Sequence, residues 1–103
     1  MDGMELLCFK IISSVGEAKS DYITAIEYAK KGDFEKAEEV IRHGEACFVE
    51  GHKQHAELIA KEASGDSVEV CLLLMHAEDQ LMGAETTKLL ATEIINLYKK
   101  LNV

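Results

Sequence analysis

Proline is absent from the 103 residues of the chain, and so is tryptophan. A β-sandwich, or an enzyme with many shaped loops, normally uses several prolines at its turns, so the absence of proline favours long uninterrupted helices. Aromatic residues make up only 6% of the sequence although 48% of it is apolar. The core must therefore be built from aliphatic side chains, and intrinsic disorder is not expected. The length suits one small domain.

Basic residues are scarce relative to acidic ones: 11 Lys and Arg stand against 19 Asp and Glu, a formal charge of −8. Such an acidic domain repels phosphate backbones and anionic lipids, so we expect neither nucleic acid nor a membrane surface as a partner. No apolar run reaches the length of about 18 residues that a membrane span requires. No basic start precedes a cleavable apolar stretch. We therefore expect no membrane insertion, no signal peptide and a cytoplasmic protein.

Cysteine is sparse as well, and Cys8, Cys47 and Cys71 show no C-x-x-C spacing. Their positions within apolar stretches predict buried free thiols that act as small core residues. The sequence contains no glycine-rich phosphate loop, no nucleophile elbow and no H-E-x-x-H motif. Neither a nucleotide site nor a catalytic zinc site is therefore expected.

Glycine and polar residues cluster at two interior places and divide the chain into three segments. At the first cluster Gly32 can end a helix in the left-handed conformation, and Asp33 can cap the helix that follows. Gly65, with either Asp66 or Ser67 as the cap, repeats this arrangement at the second cluster. Two helix breaks are therefore predicted.

Apolar residues recur at three- and four-residue steps within each segment, which is the spacing of an amphipathic helix. In the second segment this stripe includes Gly51, where a neighbouring helix can approach closely, and it reaches Ile59. Short links force neighbouring helices to run antiparallel. We therefore predict an all-α, up-down-up bundle of three helices at about 4–31, 34–63 and 67–101.

The third helix begins with a stretch, Val68 to Met75, that is apolar nearly all the way round. A helix that is apolar on every side must be buried on every side. In a three-helix bundle, however, each helix has only two neighbours within its own chain. Self-association is therefore predicted, because one face of the third helix would otherwise lie in water.

Polar residues interrupt this most apolar helix directly after Met75. His76 and Asp79 are three residues apart, and His76 and Gln80 are four apart, so these side chains share one face. Asp79 falls in line with the apolar residues, where a buried carboxylate must be paired, protonated or bound to a metal. The spacing leaves alternatives open: His76 could be a satisfied core histidine or a partly exposed one, and Asp79 could lie at a solvated gap.

A second polar patch follows Gly51 on the second helix and contains His52, Lys53 and His55. We interpret His55, which falls on the apolar stripe, as a core or interface residue. His52 and Lys53 would supply local positive charge near an anionic site.

Residues 51–59 and 74–82 resemble the lactose/cellobiose-type enzyme IIA proteins of the bacterial sugar phosphotransferase system, and the likeness spans nearly the whole chain. The resemblance implies a phosphoryl carrier that assembles as a homotrimer of nine helices. It implies that His76 accepts phosphate from the phosphocarrier protein HPr and passes it to a cysteine of enzyme IIB, partner of the membrane component IIC. The sugar would be a disaccharide such as cellobiose, chitobiose or lactose. It also implies that three copies of Asp79 meet around a divalent cation, usually magnesium.

Two residues depart from the family's more usual His-Ala-Gln-Asp-His pattern, namely Glu78 and Gln80. An ionised Glu78 cannot donate a hydrogen bond to phosphohistidine and would repel its negative charge. Either Glu78 turns away from the phosphate, or phosphorylation is weakened or pH-dependent. Gln80 still offers an amide donor. The alternative function is a non-enzymatic helical interaction or regulatory module that has lost carrier activity through Glu78.

Overall fold

The computed structural model describes residues 3–101, which form three helices: α1 (Gly3–Lys30), α2 (Phe34–Ala63) and α3 (Leu72–Leu101). The bundle measures 55 × 23 × 20 Å along its principal axes. The prediction of an all-helical chain with three helices is confirmed over this range. Within the same residues, no helix combines the length and the apolar character that a membrane span needs.

Contacts between the helices establish their directions. Asp21 of α1 bonds His43 of α2, whereas Val15, nearer the start of α1, lies against Gly51, nearer the end of α2. The two helices are therefore antiparallel. The polar side-chain pairs that join α2 to α3 show the same reversal: Glu38–Lys99, Glu45–Lys88 and His55–Glu78. The predicted up-down-up order is confirmed.

Both predicted helix breaks are present. Gly32 has a φ of +81° and Gly65 a φ of +98°, which is the left-handed region that glycine enters without strain from a Cβ atom. Asp33 caps α2 as predicted, because its carboxylate accepts a hydrogen bond from the backbone N–H of Lys36 at 3.1 Å.

The predicted start of the third helix at Ser67 is wrong. Residues 66–71 have no regular secondary structure, so neither Asp66 nor Ser67 caps α3, which begins at Leu72. Val68 is β-branched and therefore a weaker helix former, and it packs, half-buried, against the core. The apolar pattern predicts a helical turn at Val68, but in the structure this residue packs against the core from a non-helical segment.

The core is built from small and aliphatic side chains, as the composition predicts. On α2 the buried positions recur every seven residues, at Ala37, Gly44, Gly51 and Leu58. The predicted placement of Ile59 on the buried stripe is wrong, because its side chain is 56% exposed. The seven-residue spacing places Leu58, and not Ile59, in the core.

The three cysteines differ in their surroundings. Cys8 is buried as predicted, Cys47 is half-buried and Cys71 is exposed. The prediction of burial is wrong for Cys71 because this residue belongs to the non-helical link before α3 and not to a helix that faces the core.

Helices α1 and α2 approach closely at two glycines. A Cβ atom at Gly51 would lie 2.6 Å from Cγ1 of Val15, and one at Gly44 would lie 2.8 Å from Cε1 of Tyr22. Both distances are shorter than a carbon–carbon contact, which is favourable at about 3.5–4.0 Å. The α1–α2 interface therefore depends on the absence of side chains at these two positions.

We predict that Gly51→Ala destabilises the bundle relative to Gly16→Ala. Gly16 is an exposed helical glycine on α1, and a Cβ atom there would meet no neighbouring group within 4 Å. Both variants therefore gain the same helix propensity, and only Gly51→Ala overpacks the interface. Overpacking costs about 1–3 kcal/mol, which is the expected difference in unfolding free energy. Chemical denaturation at one protein concentration measures this difference, and equal stabilities would show that the interface tolerates a methyl group.

Candidate functional site

His76 stands at the beginning of the second turn of α3, and its side chain is exposed. Among residues 3–101, no side chain forms a hydrogen bond or an ion pair with its imidazole. The alternative of a satisfied core histidine is therefore wrong for the single chain. Both ring nitrogens remain accessible to a reagent or a partner from solvent.

Helix geometry places two further polar groups beside this imidazole. At 3.6 residues per turn, Asp79 lies about 60° and Gln80 about 40° from His76 around the axis of α3. Asp79 is exposed and Gln80 is half-buried. Neither side chain has a hydrogen-bond or ion-pair partner in the described part of the chain. One face of α3 thus presents an imidazole, a carboxylate and an amide that are all available.

Asp79 is exposed in the single chain, which is the solvated position that the spacing left open. The residues in line with it are exposed as well: Leu72 is 81% exposed, Met75 58% and Met82 64%. The seam that faces the core of the chain lies elsewhere on α3, through residues such as Leu74 and Leu81. Asp79 would lose its water only if another molecule covered this outer face.

The exposed apolar side chains continue to the end of α3. Together they form the outer apolar face of α3, which consists of Leu72, Met75, Met82, Leu89, Leu90, Leu97 and Leu101. Asp79, Thr86 and Glu93 interrupt this face at intervals of seven residues, and all three are exposed. Within this face Met75, Met82 and Leu89 recur every seven residues, which is one of the two positions in each heptad at which a helix packs against copies of itself. The sequence analysis missed the repeat at Thr86 and Glu93, although heptad counting from Asp79 would have found it.

Glu78 turns away from His76. Two residues of separation place it about 160° from His76 around the helix axis, and its Oε1 atom lies 2.6 Å from Nε2 of His55 on α2. His55 occupies a half-buried position between helices, in agreement with its predicted place at the core or an interface. Of the two possibilities for Glu78, the structure shows the one in which its carboxylate does not face the imidazole of His76.

His52 and Lys53 are exposed on α2. The ring of His52 lies 6.0 Å from that of Phe48, centroid to centroid, with an interplanar angle of 32°. In the part of the chain that the structure describes, neither residue forms a hydrogen bond or an ion pair with α3. Their role as a source of positive charge near the site stays a prediction.

A single chain does not supply a complete metal site at Asp79. The grouping of three candidate metal ligands found among residues 3–101 lies elsewhere, on α1 and α2. A cation at Asp79 would therefore need carboxylates from further chains, since hard divalent cations take about six oxygen ligands.

The sequence of residues 6–99 matches the family described as "PTS system, Lactose/Cellobiose specific IIA subunit". The chain belongs to this family. It is a IIA component of the phosphotransferase system, and it acts as a phosphoryl carrier in disaccharide uptake.

Relatives of this IIA protein cover nearly its whole length. The lichenan-specific phosphotransferase enzyme IIA component of Bacillus subtilis is 41% identical over 98 residues, which are 95% of this chain and 89% of the relative. The crystal structure of the PTS cellobiose-specific enzyme IIA from Bacillus anthracis superposes with a TM-score of 0.96 at 40% identity, covering 99% of this chain and 94% of that one. A solution structure of the IIA(chitobiose)–HPr complex of the Escherichia coli N,N'-diacetylchitobiose branch gives a TM-score of 0.86 at 30% identity, with both chains fully covered.

We predict that the Glu78 carboxylate of this IIA protein contributes to stability through His55. Glu78→Ala leaves His55 without its partner and should lower the unfolding free energy by up to about 1 kcal/mol. This is the net contribution of one hydrogen bond, and solvent weakens such a bond at a partly exposed carboxylate. Glu57→Ala is the matched control, because Glu57 is exposed on α2 and has no ion-pair partner in the described residues. This variant should change the unfolding free energy by less than about 0.5 kcal/mol. Urea denaturation compares the two variants, and equal losses would contradict a stabilising pair.

Proposed function

We propose that this IIA protein accepts a phosphoryl group on His76 from the phosphocarrier protein HPr and passes it to a cysteine of an enzyme IIB, which serves a membrane component IIC. The exposed imidazole without a partner on α3 carries this proposal. Support for HPr as the donor comes from the Escherichia coli relative, whose structure is that of a IIA(chitobiose)–HPr complex. A disaccharide of the cellobiose, chitobiose or lactose type would be the transported sugar, and the cytoplasm would be the site of transfer.

The chemistry suits a neutral imidazole. A ring nitrogen of His76 attacks the phosphorus of the donor, so that a nitrogen–phosphorus bond forms while the bond to the donor breaks. Attack by the IIB thiolate on the same phosphorus then returns the imidazole to its free form. The amide of Gln80, on the same face, can donate a hydrogen bond to a phosphoryl oxygen.

The alternative of an interaction module without carrier activity depends on repulsion by Glu78. In the structure Glu78 bonds His55 and lies on the far side of α3 from His76. Its charge is therefore directed toward α2, and the departure from the family pattern at this residue does not remove the means of phosphorylation.

We further propose that the outer apolar face of α3 forms the interface of a homotrimer, with three α3 helices around one axis. The heptad spacing of that face supports this arrangement, and so does its exposure in the single chain. Asp79 lies within the face, so the trimer would gather three carboxylates at its axis. Like charges at a dry axis repel, and a divalent cation such as Mg²⁺ held by these carboxylates would relieve the repulsion.

We predict that incubation with enzyme I, HPr and phosphoenolpyruvate adds one acid-labile phosphate per chain to the wild type and none to His76→Ala. His52→Asn serves as the matched histidine control and should keep the stoichiometry of one, because exposed His52 does not carry the group in this proposal. Acid lability identifies a phosphoramidate, and mass spectrometry measures its amount. Undiminished incorporation into a folded His76→Ala variant would assign the phosphate to another residue.

We also predict that native mass spectrometry finds three times the chain mass of 11.4 kDa for the wild type and mainly single chains for Met82→Lys. Met82→Lys places three ammonium groups at the proposed interface. Val49→Lys is the control and should keep the trimer, because Val49 is exposed on α2, about 160° around the helix axis from the buried Gly51.

Asp79→Asn completes this experiment by removing the charge at the axis. EDTA should weaken the wild-type trimer and leave Asp79→Asn unaffected, because only the carboxylates repel once the cation is removed. A wild-type protein that is monomeric in magnesium buffer would contradict the proposed trimer. A trimer whose stability is unchanged by EDTA would contradict the proposed metal site.

A further inference from the structure

Four side chains with metal-ligating atoms meet between α1 and α2. Glu17 and Asp21 are four residues apart on α1, and His43 and Cys47 are four apart on α2, so each pair lies on one face of its helix. Ligand atoms of Glu17, His43 and Cys47 all lie within 4.8 Å of one another. The Oδ2 atom of Asp21 is 2.6 Å from Nδ1 of His43. The cluster is separate from the His76 site, because twelve residues, or about 18 Å of helix, separate His43 from His55.

The backbone brings these two pairs together. Gly44 lies between His43 and Cys47, and a Cβ atom on it would be 3.0 Å from Cβ of Asp21 and 2.8 Å from Cε1 of Tyr22. The absence of a side chain at Gly44 therefore allows α1 to approach α2 at the level of the cluster. The proximity of the ligand atoms follows from helix packing and not only from the reach of long side chains.

The donor set is mixed, with sulfur, nitrogen and oxygen atoms, and this composition decides which cation it suits. Mg²⁺ and Ca²⁺ prefer oxygen ligands alone, whereas Zn²⁺ binds thiolate, imidazole and carboxylate together. Neither Glu17 nor Asp21 has a Lys or Arg partner among residues 3–101. In the described residues, the imidazole of His43 is the only basic group paired with these carboxylates.

We propose that Glu17, His43 and Cys47 bind one Zn²⁺ ion and that Asp21 orients the imidazole. Asp21 bonds one ring nitrogen and leaves the other for a metal, which corresponds to the carboxylate–histidine–zinc arrangement of many zinc proteins. A water molecule would complete four-coordination. Zinc–ligand distances of about 2.0–2.3 Å require the ligand atoms to come closer by roughly 1 Å, and rotation of the exposed Glu17 and His43 side chains allows this movement.

Zinc binding breaks the S–H bond of Cys47 as the zinc–sulfur bond forms, and the proton passes to solvent. Burial raises the pKa of this thiol, and the neighbouring carboxylates of Glu17 and Asp21 act in the same direction. The thiolate and the Glu17 carboxylate then balance the charge of the cation. Bound zinc would clamp α1 to α2 beside the close contact at Gly44.

Titration of the full-length protein with Co²⁺, a spectroscopic substitute for Zn²⁺, tests the proposal. We expect a sulfur-to-cobalt charge-transfer band that saturates at one cobalt per chain and disappears on addition of Zn²⁺. The band separates this site from Asp79, where carboxylates have no sulfur and the proposed stoichiometry is one cation for three chains. Excess Mg²⁺ should leave the band unchanged. Zinc in hundredfold excess over its dissociation constant should raise the melting temperature by more than about 5 °C.

Matched variants locate the ligands. Cys47→Ser should abolish the band, whereas Cys71→Ser, which changes the exposed thiol of the link, should retain it. His43→Ala and Glu17→Gln should each weaken binding at least tenfold, and Asp21→Asn should weaken it by about 10–100-fold while the band persists. Circular dichroism confirms the fold of each variant. A wild type without the band, or a band lost in Cys71→Ser and kept in Cys47→Ser, would overturn the proposal, the latter as adventitious binding to a surface thiol.

Discussion

The third helix carries apolar side chains on two faces, and a bundle of three helices has internal partners for only one of them. Leu74 and Leu81 pack inward against the core, while Met75 and Met82 remain more than half exposed. Full burial of a large apolar side chain contributes about 1.5–3 kcal/mol, so covering the outer apolar face of α3 would contribute on the order of 10 kcal/mol per chain. Association costs roughly 4–15 kcal/mol in lost translational and rotational freedom, so burial of this face is of the size needed to offset that cost.

The same geometry explains how two neighbouring polar residues can have different tasks. Asp79 lies within the outer apolar face, and covering that face would remove its water, whereas His76 lies about 60° away, at the edge of the face. An imidazole that must meet a donor and then an acceptor has to stay accessible to both. Glu78, on the opposite side of α3, bonds His55 of α2 and stays partly exposed. Three residues within one turn of the helix therefore face a proposed axis, a partner and the neighbouring helix α2.

Much of this architecture could be predicted from the sequence, because helix breaks and helical periodicity are local properties. Gly32 and Asp33 act through their own backbone and side chain, and both predictions are confirmed. The start of α3 could not be predicted in this way, because the packing of Val68 against the core overrides the capping pattern that follows Gly65. The direction of Glu78 follows from its two-residue separation from His76 and was predictable in principle. The proposed zinc site depends on the register of α1 against α2, because that register brings together Glu17, Asp21, His43 and Cys47. No local sequence pattern predicts this register.

Charge remains the strongest constraint on how such a chain can carry phosphate. Phosphorylation adds about two negative charges to a chain whose formal charge is already −8. At physiological ionic strength, screening over about 8 Å leaves only nearby groups to affect the phosphoryl group, and Asp79 is such a neighbour of His76. Lys88 and Lys99 are already paired with glutamates, whereas exposed Lys53 has no ion pair in the described residues. A cation that offset the Asp79 charges would therefore also reduce the repulsion felt by a phosphoryl group on His76, so the proposed axis and the proposed carrier site are coupled electrostatically.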